Sequence, residues 1–269
     1  MSAIVLTLRS QPDLRVDAAP LLPERLAGLA ADDIRRIELA CGNRAIAVGE
    51  LFDVVAGDAN ELRLVGACDK FDFVGKGLAA GRIAIEGPVG AYAGLAMTGG
   101  ELCIGGDAGP WAAAELAGGR LEIGGHAGER LAAPLPGGMR GMSGGTVVVR
   151  GNAGDRAGDR LRRGILIVEG GAGAYLGSRM IAGTIVVFGA VGAYPGFAMK
   201  RGTLFLAAAP TRLLPTFGDC GVHDLGFLYL LRRAYGSQSP PLAASSGRVR
   251  RLAGDAAVAG KGEILLPAG

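Results

Sequence analysis

Residues 145–163 read GTVVVRGNAGDRAGDRLRR, residues 164–182 read GILIVEGGAGAYLGSRMIA, and residues 183–201 read GTIVVFGAVGAYPGFAMKR. Each stretch begins with a glycine and repeats one order of apolar and glycine positions over 19 residues. The marker glycines stand at 81, 100, 119, 145, 164, 183 and 202, with seven extra residues before 145. A unit this short cannot bury its own apolar face, so successive units must stack around a continuous core.

Two apolar columns follow the marker glycines at a spacing of two, which is typical of a β-strand with one buried face. The columns are Ile83, Leu102, Leu121, Val147, Leu166, Ile185 and Leu204, then Ile85, Ile104, Ile123, Val149, Val168, Val187 and Leu206. Glycine-rich corners follow each strand and allow sharp changes of direction. The pattern predicts an all-β fold, namely a parallel β-helix of about seven 19-residue coils, which we take as right-handed.

The ends of such a stack expose strand edges and need caps. We therefore predict an N-terminal cap at 1–60, the β-helix at 61–207 and a C-terminal cap at 208–269, with mixed α/β structure in both caps. The first cap contains a strand at Ile4–Leu8 and a helix-like segment at Leu21–Leu29. The second contains a short helix from Leu225 to near Gly236, a linker at 237–247 and a packed segment at 248–266.

Bulk properties limit the partners and the compartment. A net charge of +3 is too small to predict a nucleic-acid partner. No apolar stretch is long enough to span a bilayer, and the N-terminus lacks the features of a signal peptide, so we expect a cytoplasmic protein with no membrane partner. The four cysteines lack the close pairs of a metal site and are expected to be reduced.

Recognisable catalytic motifs are missing from the sequence. The two histidines, His126 and His223, have no partner at motif distance, and no nucleophile elbow is present. The glycine run at 170–173 recurs with the repeat and fits a corner better than a dinucleotide loop. We expect no catalytic residue and no metal ligand in this chain.

The outward column changes character along the repeat. Early units carry the alternating charges Arg82, Glu101 and Arg120, which we interpret as a solvated face. Later units form an apolar stripe, whose members are Val148, Ile167, Val186, Phe188 and Phe205. An aliphatic stripe facing outward must be covered, either by the C-terminal segment of the chain or by another subunit, and the stripe is our candidate partner interface.

Two further groups are candidate recognition surfaces. One is a row formed by Tyr92, Trp111, Arg130, Arg156, Tyr175 and Tyr194, for which stacking and ligand recognition are both open. The other is the charged stretch 155–163 with Arg156, Arg160, Arg162 and Arg163. Those four arginines form either a solvated surface or a grip for a carboxylate-rich ligand.

The corner pattern G-x-x-G-x-x-x-G, for example at 151, 154 and 158, resembles the C-terminal β-helical domain of glutamate synthase and the C-type subunit of formylmethanofuran dehydrogenase. Segments beyond the corner glycines favour the second family. These segments are Gly42–Arg44, Gly49–Phe52, Gly151–Asp155, Leu213–Phe217 and Gly254–Ile264. The resemblance spans nearly the whole chain.

This resemblance implies a noncatalytic, β-helical scaffold subunit in an enzyme complex of one-carbon metabolism. In the bacterial version, a formyltransferase/hydrolase complex linked to methylotrophy, a formyl group moves from formyl-tetrahydromethanopterin to a methanofuran-type carrier and is hydrolysed to formate. The implied partners are a hydrolase, a formyltransferase and a further subunit. This chain alone would bind no cofactor, although the glutamate-bearing arm of the carrier is a possible ligand for the four arginines.

Three alternatives stay open at this point. The first alternative is the corresponding subunit of the methanogen complex, a tungsten or molybdenum formylmethanofuran dehydrogenase. The alanine- and arginine-rich composition favours the bacterial complex over it. A glutamate-synthase-type spacer is the second alternative. The third is a solenoid that acts as an enzyme or binds a ligand by itself.

Overall fold

The structure is a computed structural model that describes residues 2–58, 60–245 and 247–268. It is mostly β, with 33% strand and 13% helix, which confirms the predicted class. Most strands belong to one sheet of 13 strands, and four short strands form a second sheet.

The N-terminal segment folds into short strands and three short helices. These are β1 Ile4–Leu8, β2 Val16–Asp17, α1 Pro23–Leu26, α2 Ala31–Arg35, β3 Glu38–Cys41, β4 Arg44–Ala47, α3 Val48–Leu51 and β5 Phe52–Val55. Strand β1 confirms the prediction, whereas α1 is shorter than the helix-like segment predicted at 21–29. Leu21, Leu26 and Ile34 are fully buried and join the main core.

The repeats form the centre of the molecule. Their elements are β6 Glu61–Val65, β7 Phe71–Asp72, β8 Arg82–Glu86, β9 Thr98–Ile104, β10 Gly118–Ile123, β11 Thr146–Val149, β12 Ile165–Val168, β13 Thr184–Val187 and β14 Thr203–Leu206. Strand β7 pairs with β2 in the small sheet. The other strands hydrogen-bond in parallel to their neighbours along the chain.

The pairing register follows the 19-residue period. Ile83 lies opposite Leu102, and across the seven extra residues Leu121 still lies opposite Val147. A second parallel ladder joins the corners. Its bridges link Val89, Ala108, Ala127, Ala153, Ala172 and Val191 in turn. Both predicted apolar columns are buried inside this β-helix-like stack.

The C-terminal segment returns to the same sheet. Its elements are β15 Gly218–Asp224, α4 Gly226–Tyr235, α5 Pro240–Ala244, β16 Arg248–Gly254 and β17 Gly262–Pro267. Helix α4 confirms the predicted helix. Strand β17 runs parallel to β14, with Ile264 opposite Leu204, and β16 runs antiparallel to β17. At the other end β5 runs antiparallel to β1, so the parallel ladder stops against a reversed strand at both ends.

The linker predicted at 237–247 is wrong for most of its length. A 3-10 turn at 236–238 and helix α5 occupy this stretch. Pro240 begins α5, and Leu242 on the same helix is buried. Composition alone did not reveal this apolar anchor. Ser246 of the predicted linker lies outside the described residues.

Candidate functional site

A row of stacked side chains runs along one corner of the coils. Phe73 and Tyr92 have ring centroids 4.8 Å apart, and Tyr92 and Trp111 have centroids 5.6 Å apart. These residues have positive φ angles, 57° at Trp111, which cost roughly 1–2 kcal/mol for a residue with a Cβ. Hydrogen bonds between coils hold the conformation, since the Trp111 N–H donates to the Glu129 carbonyl at 2.9 Å.

Arginines continue this row. The guanidinium of Arg130 lies 5.4 Å from the centre of the Trp111 ring, and that of Arg156 lies 5.0 Å from the Tyr175 ring. Cations over aromatic faces are attracted by the ring quadrupole. The predicted row is therefore confirmed as a stack. Arg130 packs on Trp111 before it in the row, and Arg156 packs on Tyr175 after it.

The row is longer than the sequence pattern predicted. Phe73 precedes it, and the Arg212 guanidinium lies 5.7 Å from the Tyr194 ring at its far end. Phe73 stands one 19-residue period before Tyr92, so the spacing already carried this signal, although the row was read only from the first regular unit onward. Arg212 was missed because it follows the last repeat.

A cleft of about 290 Å³ lies between the seven-residue insertion and the neighbouring coils. It is lined by the loop 134–139 and by Arg130, Asp159, Arg160 and Arg179. Asp159 is 1% exposed, and it accepts hydrogen bonds from Ser178 Oγ at 2.8 Å and from Arg179 Nε at 2.9 Å. A second hydrogen bond joins Arg179 Nη2 to Asp159 Oδ2, so the guanidinium is held in a bidentate pair.

The four arginines of the predicted cluster do not converge on one point. Arg156 belongs to the row, Arg160 lines the cleft with Nη1 at 3.1 Å from Met139 Sδ, and Arg162 and Arg163 are exposed. Across the described ranges, none of these four side chains forms an ion pair with a carboxylate.

Two other arginines join Arg160 at the cleft. Arg179 stands 19 residues after Arg160, so the period itself places it in the same column on the next coil. That signal was available in the sequence. Arg130 was recognised only as a member of the aromatic row, because the insertion hides its closeness to Arg160.

The outward charges form a connected network where the charged face ends. Glu122 Oε2 lies 2.6 Å from Arg120 Nη2, while Arg150 reaches both Glu122 and Glu169. Arg150 Nη1 also donates to the Gln238 carbonyl at 2.8 Å, which ties the C-terminal segment to the coils. Burial alone would raise the pKa of Glu122, but hydrogen bonds from Arg150 and Arg120 lower it below the ordinary value.

The apolar stripe is covered by the chain itself. Val148, Ile167 and Val186 are 0% exposed and Phe205 is 3% exposed. They pack in a second core with side chains from α4, α5, β16 and β17, among them Leu228, Leu231, Leu242, Val249 and Leu265. The assignment of these four residues to a partner interface is therefore corrected, because they have no free surface to offer. Phe188, which is half-buried, packs against the same core.

His126 forms hydrogen bonds to the neighbouring coils at a glycine-rich corner. Its backbone N–H donates to Asp107 Oδ1 at 2.6 Å, and its ring Nδ1 accepts the backbone N–H of Asn152 at 2.9 Å. His223 lies on the exposed strand β15, with Nε2 2.9 Å from the Cys220 carbonyl. In the part of the chain that the structure describes, no group of three or more acidic, histidine or cysteine side chains is placed to hold a metal ion.

The four cysteines are free. Cys41 and Cys68 are buried, Cys103 is half-buried and Cys220 is exposed. Within residues 2–58, 60–245 and 247–268, no helix has the length and apolar character needed to cross a membrane.

Similarity to curated sequences is confined to part of the chain. No family model matches it. The C-type subunit of the tungsten-containing formylmethanofuran dehydrogenase 2 of Methanothermobacter thermautotrophicus is 34% identical over 99 residues, which cover 35% of this chain and 37% of that protein. The C-type subunit of the Methylorubrum extorquens formyltransferase/hydrolase complex Fhc is 40% identical over 86 residues, 31% of this chain and 32% of that protein. The matches thus span about a third of these relatives.

Similarity to a solved structure extends over nearly the whole chain. A chain in the crystal structure of the formyltransferase/hydrolase complex FhcABCD from Methylorubrum extorquens, determined with methylofuran, superposes with a TM-score of 0.92. It is 39% identical, and the match covers 98% of this chain and 100% of that chain. The resemblance drawn from the corner glycines and the flanking segments is confirmed, and the chain belongs to the family of C-type subunits of formylmethanofuran dehydrogenases and formyltransferase/hydrolase complexes.

Proposed function

We propose that this chain is the noncatalytic scaffold subunit of a formyltransferase/hydrolase complex. The complex would transfer a formyl group from formyl-tetrahydromethanopterin to a methanofuran-type carrier and hydrolyse it to formate in the cytoplasm. The observation that carries the proposal is the 39% identity over 98% of this chain to a chain of the FhcABCD complex, whose structure contains methylofuran. Hydrolase and formyltransferase subunits, with one further subunit, would supply the chemistry.

The scaffold has three parts in this proposal. Residues 61–207 form a right-handed parallel β-helix of about seven 19-residue coils, between caps at 1–60 and 208–269. The 19-residue offset between most paired strands, for example β8 with β9 and β12 with β13, supports the coils, and the antiparallel strands at both ends support the caps. Positions 1, 59, 246 and 269 of these ranges lie outside the described residues.

The arginines 156, 160, 162 and 163 are the proposed contact for the carrier. Their guanidinium groups have no carboxylate partner within the described ranges, and planar guanidiniums match carboxylates well. The glutamate-bearing arm of a methanofuran-type carrier would lie along this surface. Exposed Arg162 and Arg163 would meet it first.

The surface offered to other subunits lies on the C-terminal cover instead of the stripe beneath it. On α4, Phe227, Tyr229 and Leu230 are 41%, 60% and 62% exposed while Leu228 and Leu231 of the same helix are buried. Clusters of exposed large apolar side chains are typical of protein interfaces. We assign this outer face of α4 to another subunit of the complex.

Affinity purification of the tagged full chain from its source organism tests the function. Mass spectrometry should find a hydrolase and a formyltransferase, and the purified complex should release formate from formyl-tetrahydromethanopterin. The chain expressed alone should be inactive. Recovery of amidotransferase subunits instead would refute the proposal in favour of a glutamate-synthase-type spacer.

The interface has its own pair of variants. Leu230→Asp on α4 should release one or more partners, whereas Val55→Asp, on an equally exposed valine at the opposite end of the sheet, should retain them. Loss of partners from Val55→Asp alone would place the interface at the N-terminal end.

A second candidate is the C-type subunit of a tungsten or molybdenum formylmethanofuran dehydrogenase. The 34% identity to the tungsten-containing relative favours it over an unrelated scaffold. The same purification separates the two, because tungsten or molybdenum in the complex would identify the dehydrogenase.

A further inference from the structure

We propose that the cleft beneath the loop 134–139 is a binding site for a short dicarboxylate, held by Arg130, Arg160 and Arg179. The inference deepens the proposed carrier contact and rests on it for the choice of a carboxylate ligand. It differs in naming a cleft at the insertion, with two arginines that the charged stretch 155–163 does not contain.

The charge of the cleft favours a dianion. Three guanidinium groups line it, and the lining has one carboxylate, that of Asp159. Asp159 neutralises Arg179 through the bidentate pair. Arg130 and Arg160 have no ion-pair partner within the described residues, so two positive charges remain. Arg130 follows β10 and Arg160 follows β11, so the two charges come from successive coils, and a ligand with two separate carboxylates can pair with both.

Nearby acids are turned to other partners. Asp155 Oδ1 accepts the backbone N–H of Ala174 at 2.7 Å, and Glu115 Oε1 accepts the backbone N–H of Leu135 at 3.2 Å. Neither carboxylate lines the cleft. The positive charge of Arg130 and Arg160 is therefore left for a ligand.

The guanidinium groups are held in place before any ligand binds. Buried Asp159 fixes Arg179 through Nε and Nη2, which leaves both hydrogens of Nη1 free to donate. Arg130 is held by stacking on Trp111. A ligand then meets donors that have already lost much of their side-chain freedom, which lowers the entropic cost of binding.

The insertion forms one wall of the cleft, and the cleft is large enough for a small ligand. The loop is attached to the coils where Leu135 N–H meets Glu115, and it carries Met139, which is 67% exposed and touches Arg160. The cleft has a volume of about 290 Å³, which leaves room for a small dicarboxylate such as glutarate. The loop 134–139 belongs to the insertion and forms one wall of this cleft, so the site depends on the seven extra residues.

Isothermal titration of the isolated full chain with glutarate tests the site. Glutarate should bind to the chain. Butyrate, which has one carboxylate, should bind at least about tenfold more weakly because one charge-assisted contact is lost, and inorganic phosphate should be weaker by a similar factor. Equal binding of butyrate or of phosphate would overturn the dicarboxylate site.

Arg160→Gln and Arg130→Gln should each weaken glutarate binding about tenfold or more, since each removes one charge-assisted contact. Arg201→Gln, on an exposed arginine outside the cleft, is the matched control and should change affinity by less than about twofold. Circular dichroism and thermal melting establish that each variant is folded, and Arg160→Gln leaves no buried acid without its partner. An equal loss in Arg201→Gln would overturn the proposal.

The result is separable from the proposed function. Glutarate that fails to bind the wild-type chain, while the hydrolase and formyltransferase still co-purify, refutes the site alone. Glutarate that binds as described supports the site even if those partners are not recovered.

Discussion

The outer face of the large sheet has two halves that share one repeat and differ in what lies over them. We call the face of β6 and β8–β10 the open half and that of β11–β14 the covered half. In the open half, Arg82, Glu101 and Arg120 pair across strands in partial contact with solvent. In the covered half, Val148 and Ile167 are sealed under the C-terminal segment. The 19-residue period determines the inner face of both halves, and the C-terminal segment decides which outer face becomes a second core.

The largest expected effect comes from a charge beneath the cover. Ile167→Asp buries an unpaired carboxylate and removes a fully buried side chain, so we expect a loss of about 4 kcal/mol or more in the free energy of unfolding. Ala84→Asp, in the same column of the open half, should stay within about 1 kcal/mol of the wild type because that position reaches solvent. Urea unfolding followed by circular dichroism measures both. Equal losses would show that the two halves do not differ.

A smaller effect separates the two sides of α4. Leu231 is 4% exposed and packs on the covered half, so Leu231→Ala should cost about 2–4 kcal/mol by leaving a cavity. Neighbouring Leu230 is 62% exposed, and Leu230→Ala should cost less than about 0.5 kcal/mol. Thermal unfolding of the isolated chain makes the comparison. If Leu231→Ala were as mild as its neighbour, the cover would contribute little to stability.

The smallest effect lies at the boundary between the halves. Arg150→Gln removes the ion pairs to Glu122 and Glu169 and should cost about 1 kcal/mol at neutral pH, since these groups are partly solvated. The folded-state pKa of Glu122 lies below its unfolded value, so this stabilisation is present above the unfolded pKa, near 4.5, and disappears as the pH falls through the folded pKa.

Urea unfolding of the wild type and Arg150→Gln across this acid range should therefore converge at low pH. Arg63→Gln, which removes the more exposed Arg63–Glu86 pair, is the control and should differ little from the wild type at any pH. A difference that persisted unchanged below about pH 4 would assign the effect of Arg150 to its contact with Gln238 alone.

Local spacing made the inner face predictable. Leu102 and Ile104 fall inward because side chains alternate along a strand and the period returns them to the same column. The sequence did not decide what covers the outer stripe, because Leu228 and Leu242 of the cover belong to segments without a period. Strand β17 escaped the sequence reasoning for the same reason, since Ile264 pairs with Leu204 across a long stretch of aperiodic chain.

The site was predicted in part. The aromatic row was recognised from its column and Arg160 from the dense charge at 155–163, whereas the cleft depends on how the insertion folds back over Arg130 and Arg179. Spacing cannot describe that fold, because glycine and proline at 134–138 leave the path of the loop to tertiary contacts such as Glu115 with Leu135. Two missed residues carried a usable signal: Arg179 lies one period after Arg160, and Phe73 lies one period before Tyr92.

The antiparallel strands at the two ends of the parallel ladder oppose end-to-end stacking of copies of this chain into filaments. A stack of identical coils is its own template, and an open terminal coil would accept the first coil of another molecule and extend without limit. Here β5 closes one end, and β16 and β15 close the other, with β5 and β16 each antiparallel to the strand beside it. A second copy would meet these reversed strands instead of a coil that matches its own parallel register, which disfavours continuation of the parallel ladder from one chain to the next.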